Sequence, residues 1–187
     1  MKFGARDGVL RQPWEKVFAE AARLCFDGVE LDIGGDYQNT MLWDASGRGK
    51  LRDLSEKSCV ELASVCLGVM WGISLANPAP DVQKEAKQII IDAVKFCREL
   101  SAEFILVPIT PFRGGDIPPE QAVKNWIEGL KACAPVAEEY NVILAVENVG
   151  GGVCPSAKRQ MEIIEGVNSP FVQAYYDFGN GLSLGND

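Results

Sequence analysis

The chain of 187 residues contains no histidine. That absence excludes Ser-His-Asp and Cys-His catalysis within it, and it leaves no partner to complete a Cys/His zinc site. Carboxylates remain the only plentiful acid, base and metal-binding groups. Cations are scarce as well: 18 Lys and Arg stand against 26 Asp and Glu, a formal net charge of −8. Such a balance repels phosphate backbones and anionic lipid, and no basic run gathers the cations on one face. Arg6, Arg113, Trp71 and Trp126 are isolated, so the basic and aromatic stripe of a nucleic-acid groove is missing and no nucleic-acid partner is expected. No apolar stretch approaches the roughly 18 to 20 residues that span a bilayer. The opening MKFGARDG lacks the basic-then-apolar pattern of a signal peptide, so the cytoplasm is the expected location, with no membrane partner. Cys25, Cys59, Cys66, Cys97, Cys133 and Cys154 form no CxxC pair and read as reduced thiols acting as small buried hydrophobes. Phosphate loops of the GxGxxG or GxxxxGK[ST] type are absent; Gly150, Gly151 and Gly152 are consecutive but lack that fingerprint and read as a mobile loop.

What is present is a globular balance, 47% hydrophobic and 24% charged, organised as a repeat. Short runs rich in Val, Ile, Leu and Phe alternate with longer stretches of helical period. The expected strands are Lys2 to Arg6, Gly28 to Ile33, Leu62 to Val69, Glu103 to Ile109, Val142 to Val149 and Val172 to Phe178. The expected helices are Pro13 to Cys25, Leu51 to Lys57, Asp81 to Leu100, Pro119 to Glu139 and Ser156 to Glu165. In the third of these, Ala86, Ile89, Ile90, Ala93, Val94 and Cys97 form one apolar stripe that should lie on a sheet. Two α/β architectures satisfy the pattern: an open doubly wound sheet, or a (β/α)8 barrel. The strand starts advance by a mean of 34 residues, so eight units need roughly 270 residues, near the ~250 of a TIM barrel. About six units are therefore expected, residues 1–187 forming one domain that stops two units short, its GNGLSLGND tail reading as a loop without a closing helix.

In either architecture ligands sit at the carboxyl ends of the strands. Arg6 and Asp7 end the first strand, and Glu30 and Asp32 occupy alternate positions of the second, on one face of its pleat. Met70 and Trp71 follow the third, Thr110 and Arg113 the fourth, Glu147-Asn148 the fifth, and Asp177 with Gly179-Asn180 the sixth. Glu147 and Asp177 each close an apolar strand. Adjacent strands lie ~4.8 Å apart, which puts two such carboxylates within reach of one cation. A divalent metal would remove their repulsion and keep both ionised. Asp32 serves equally well to hold the GGDYQN loop, and Glu30 to support the site from within the barrel. Trp14 reads as packing, and Trp71 as the aromatic best placed to line a pocket.

The segments FDGVELDIG, ELASVCLGVMW, FILVP, VILAVENV and YYDFGN, in this order and spacing, resemble the sugar phosphate isomerase/epimerase family of xylose-isomerase-like TIM barrels. The most specific parts are the strand-five Glu followed by Asn and the strand-six Asp followed by Gly-Asn. The resemblance implies a divalent cation, Mn2+ or Mg2+ first and Co2+ or Zn2+ as alternatives, with Glu147 and Asp177 as two of its ligands. A His on strand seven and a Glu on strand eight complete the family's set and have no counterpart here, so the resemblance also implies a chain truncated after strand six. It implies isomerisation or epimerisation of a sugar or sugar phosphate, a ketose or related polyol, through an enediolate, with Glu147 as the base. Arg6, Trp71 and Arg113 are then substrate contacts, Arg113 beside Gly114-Gly115 being the one loop that suggests a phosphate. Glu30, Asn148 and Asn180 are supporting residues. Endonuclease IV, a relative with the same barrel, uses histidines for its zinc ions, so DNA repair is not expected. The competing expectation is a non-catalytic βα fragment acting as a binding domain, whose open edge would allow a homo-oligomer.

Overall fold

The computed structural model describes residues 1–150 and 152–185. Six strands, β1 (Gly4–Arg6), β2 (Gly28–Asp32), β3 (Glu61–Cys66), β4 (Phe104–Pro108), β5 (Ile143–Glu147) and β6 (Val172–Tyr175), form one sheet in the order β1-β2-β3-β4-β5-β6. Every pairing is parallel. A doubly wound sheet reverses its strand order at a switch point. Here no reversal occurs, so right-handed crossovers place every helix on the same face and the sheet curls as a barrel does. The α/β barrel reading therefore stands and the doubly wound alternative falls.

The helices are α1 (Asp7–Leu10), α2 (Trp14–Arg23), α3 (Ala45–Ser58), α4 (Pro80–Glu99), α5 (Pro119–Tyr140), α6 (Ala157–Val167) and α7 (Phe178–Ser183). Proline opens α4 and α5, where its missing N–H costs nothing. The hydroxyl of Ser156 accepts the Arg159 N–H to start α6. Alternation along the strands separates two environments. Val29, Leu31, Val65, Ile105, Val107, Leu144 and Val146 are fully buried under the helices, against side chains such as Phe18, Ile90, Trp126 and Ile163. The intervening positions carry Arg6, Glu30, Ser64, Glu147 and Tyr175 together with Phe104 and Leu106, so the inner face is mixed and holds the polar side chains while the outer face is the core. No described helix is long and apolar enough to cross a membrane.

Several boundaries differ from the sequence expectation. The third strand stops at Cys66, and Gly68–Trp71 form a 3-10 turn instead of continuing to Val69. The sixth stops at Tyr175, and Phe178 opens α7 where a loop was expected; the Asp177 carboxylate accepts the Asn180 N–H and so starts that helix. Helix α3 begins six residues earlier than its apolar pattern, because Asp44 caps it at Gly47 N–H and tertiary packing overrides the glycines. Cys25 and Cys59 are exposed, not buried: both occupy left-handed backbone positions as a helix ends, while the other four thiols are buried as expected. Trp14 packs against the core with its indole N–H donating to Asp7 Oδ2 at 2.6 Å. The mobile-loop reading of the glycines at 150–152 rests on Gly151, which lies outside the described residues, as do Asn186 and Asp187 of the GNGLSLGND tail.

Candidate active site

The inner face encloses a cavity of about 420 Å³ whose polar lining is Arg6, Glu30, Ser64, Glu147, Tyr175 and Asp177, with Phe104 and Leu106 supplying an apolar wall. Register explains the assembly. Arg6 stands beside Glu30, Glu30 beside Ser64 and Ser64 beside Phe104 across successive strands, and Glu147 stands beside Tyr175. The shift in β2 between Val29 and Glu30 brings Glu30 level with Ser64, whose hydroxyl donates to Glu30 Oε2 at 2.6 Å. Arg6 Nη2 pairs with Asp32 Oδ2 at 2.6 Å. The second oxygen of Asp32 is buried without a hydrogen-bond partner, and a Cβ on Gly68 would collide with it. Asp32 thus holds Arg6 at the cavity and restricts the turn after β3 to glycine. Sequence reasoning did not single out Ser64 or Tyr175; an isolated polar residue within ELASVC was the available signal for the first.

A clasp of side-chain amides fixes the backbone at the two strand ends that carry the carboxylates. Asn148, fully buried, accepts the Asp177 N–H at 2.7 Å and donates to the Asp177 carbonyl at 3.0 Å. Asn180 donates from its side chain to the Asn148 carbonyl at 3.0 Å. From outside, buried Gln160 of α6 donates to the Val146 and Tyr175 carbonyls at 2.7 and 3.2 Å, bracing the same two strand ends. The Glu-Asn and Asp-x-Gly-Asn sequences are therefore one hydrogen-bonded unit. Gln160 was missed because a helix glutamine carries no distinguishing pattern.

Burial pushes the Glu147 carboxyl up to about 7, reinforced by the negative charges of Asp177 and Glu30 and by a hydrogen bond with Asp177, against a lowering by Arg6. Burial also raises Glu30. Tyr175 is pushed up to about 12 by burial and then by the charges of Glu30 and Glu147. At Glu147 the folded state accordingly binds more protons than the unfolded chain between about pH 4.5 and 7, so this group's contribution to stability is present below that window and lost as pH rises through it. With a discount for solvent screening, Glu147 alone accounts for about 2 kcal/mol. In metal-free protein, Glu147→Gln is expected to flatten the fall in stability between pH 4.5 and 8 and to unfold at higher urea than wild type at pH 8. An unchanged pH profile in that variant would remove Glu147 as its source.

Trp71 and Arg113 do not line this cavity. They stand on the turns that follow β3 and β4, with the Arg113 guanidinium 4.4 Å from the centre of the Trp71 ring. Among the described residues, no three His, Cys, Asp or Glu side chains gather closely enough to hold a metal ion.

A parallel βα sheet in sequential order, with paired carboxylates at neighbouring strand ends, defines the barrel class in which chemistry sits at the carboxyl face. Residues 18–187 match the family model described as the xylose isomerase-like TIM barrel, and the chain belongs to that family. It is 28% identical over 168 residues to 2-epi-5-epi-valiolone 7-phosphate 2-epimerase of Actinoplanes sp., covering 89% of this chain and 58% of that protein. The chain thus spans under two thirds of the length of the curated relatives it matches. Among solved structures, D-psicose 3-epimerase of Clostridium cellulolyticum H10 with D-tagatose superposes with a TM-score of 0.83 at 19% identity, over 96% of this chain and 64% of that one. The IOLI protein with a bound zinc atom superposes with a TM-score of 0.81 at 18% identity, over 100% and 66%.

Proposed function

We propose that this chain belongs to an epimerase or isomerase acting on a ketose or ketose phosphate, with a divalent cation held in part by Glu147 and Asp177. The observation that supports it most is the pair itself: two carboxylates following adjacent strands and lining one cavity, where burial and the charge of Asp177 push Glu147 up to about 7. Hard oxygen donors of this kind suit Mn2+ or Mg2+, and a cation would relieve the repulsion that raises Glu147. When bound, such a cation supplies Lewis-acid polarisation of the sugar carbonyl.

The chain's own residues supply the rest. Glu147 Oε takes the proton from the carbon next to the carbonyl, and the electron pair of that C–H bond moves into the enediolate. Return of a proton from solvent to the opposite face of the same carbon inverts it, Glu147 releasing its own proton to solvent; return from Glu147 to the neighbouring carbon shifts the carbonyl. Burial in the cavity, the first cause of its raised pKa, makes this carboxylate more basic than an exposed glutamate, which suits it to the task. Arg6, steered by Asp32, is placed to contact substrate hydroxyls within the cavity. Asn148 and Asn180 keep Asp177 in place.

The test is exchange with solvent. Incubation of the full-length protein with Mn2+ and a panel of ketoses and ketose phosphates in D2O is expected to introduce deuterium at the carbon next to the carbonyl, and treatment with EDTA to abolish it. Turnover without incorporation, or turnover indifferent to EDTA, would defeat the reading.

A further inference from the structure

The cavity floor is acidic, with Glu30, Asp32, Glu147 and Asp177 around or beside it, and an anionic substrate entering there meets like charge. The segments leaving the carboxyl ends of β2 to β6 span residues 33–44, 67–79, 109–118, 148–156 and 176–177. Across all five, Arg113 is the only Lys or Arg. Of the other arginines, Arg6 pairs with Asp32, Arg23 with Glu20, Arg48 with Glu99, and Arg159 with Glu120 and Glu162, while Arg11 follows β1 and α1, and Arg52 and Arg98 belong to α3 and α4. Arg113 is exposed, and among the described residues it makes no ion pair with a carboxylate; its recorded contact is the face of Trp71.

That contact is built by buried groups. Thr110, fully buried, donates from Oγ1 to the Met70 carbonyl at 2.6 Å, which ties the loop carrying Arg113 to the residue preceding Trp71. Ser74 donates to the Thr110 carbonyl at 3.2 Å, and the indole N–H of Trp126 donates to the same oxygen at 2.9 Å. Beyond this anchor, Phe112 packs against the core and its ring covers Gly114, where a Cβ would collide with it. The loop is therefore fastened immediately before a guanidinium whose hydrogen-bond donors stay available while it lies over an aromatic ring.

Resting on the epimerase reading, we propose that Arg113, presented on Trp71, is the phosphate-reading residue of this site and selects phosphorylated over free ketoses. A guanidinium offers a planar fork of donors to phosphate oxygens, and stacking orients that fork before binding. With Arg6 held by Asp32 inside the cavity, a second cation on the β4 loop also orients the ligand, its phosphate at the rim beside β4 and its carbonyl toward Glu147.

Binding, measured without turnover, tests this. Isothermal titrations of the full-length protein would use ribulose 5-phosphate, ribulose and inorganic phosphate as probes, against wild type, Arg113→Gln and Arg113→Lys. Because Arg113 is exposed, these variants should fold as wild type does. Wild type is expected to bind ribulose 5-phosphate at least tenfold more tightly than ribulose, with inorganic phosphate competing. Arg113→Gln should bring the two ligands to equal affinity and remove the competition, and Arg113→Lys should restore part of the preference. Equal affinities in wild type, or a preference that survives in Arg113→Gln, overturns the proposal. The two readings fail separately: phosphate preference without deuterium incorporation removes the epimerase alone, and incorporation into free ketoses without phosphate preference removes the role of Arg113 alone.

Discussion

Glu147→Gln is expected to lower the rate of proton exchange by about 10³-fold or more while leaving the fold intact, since a positioned base contributes 10²–10⁴ and, in the proposed function, this one would also hold the cation. Glutamine preserves the shape of the side chain and its place beside Tyr175 in the register, so circular dichroism should be unchanged. The amide cannot accept the substrate proton, and it cannot share a proton with Asp177. Loss of exchange together with higher stability at pH 8 would separate the chemical role of this residue from a structural one. A variant retaining even a tenth of wild-type exchange would move the base to another group.

The second large effect lies behind the site. Trp126 is fully buried and is among the largest side chains of the core. Trp126→Ala should cost about 3–5 kcal/mol, a large part of the roughly 5–15 kcal/mol that holds a domain together. Urea unfolding reads this directly. Trp126→Phe keeps most of the packing and removes only the indole N–H that Thr110 accepts, so its cost should be nearer 1 kcal/mol. A loss in Trp126→Ala as small as that in Trp126→Phe would mean that the neighbouring helices close over the space.

The repeat was legible because both periodicities in this chain are strong: β5 alternates between a helix-covered face and the cavity, and α4 buries one stripe. Glu147 and Asp177 were legible because each ends an apolar run. Polar residues inside a barrel lack that signal. Ser64 matters through its alignment with Glu30, which follows from a local shift in strand pairing that no single sequence displays. Helix α7 was hidden for a similar reason. FGNGLS is glycine-rich and of low helical propensity, and it is helical because Asp177 and Asn180 satisfy its first turn and bind it to β5.

The Asp177 carboxylate, under the proposed function, would have two tenants. Its Oδ1 is engaged by the Asn180 amide, so a cation drawing on the same carboxylate competes with or tightens the start of α7. The short helix thus acts as a reporter wired to the site: amide exchange at residues 179–181 would register occupancy of the carboxylates before any substrate is known.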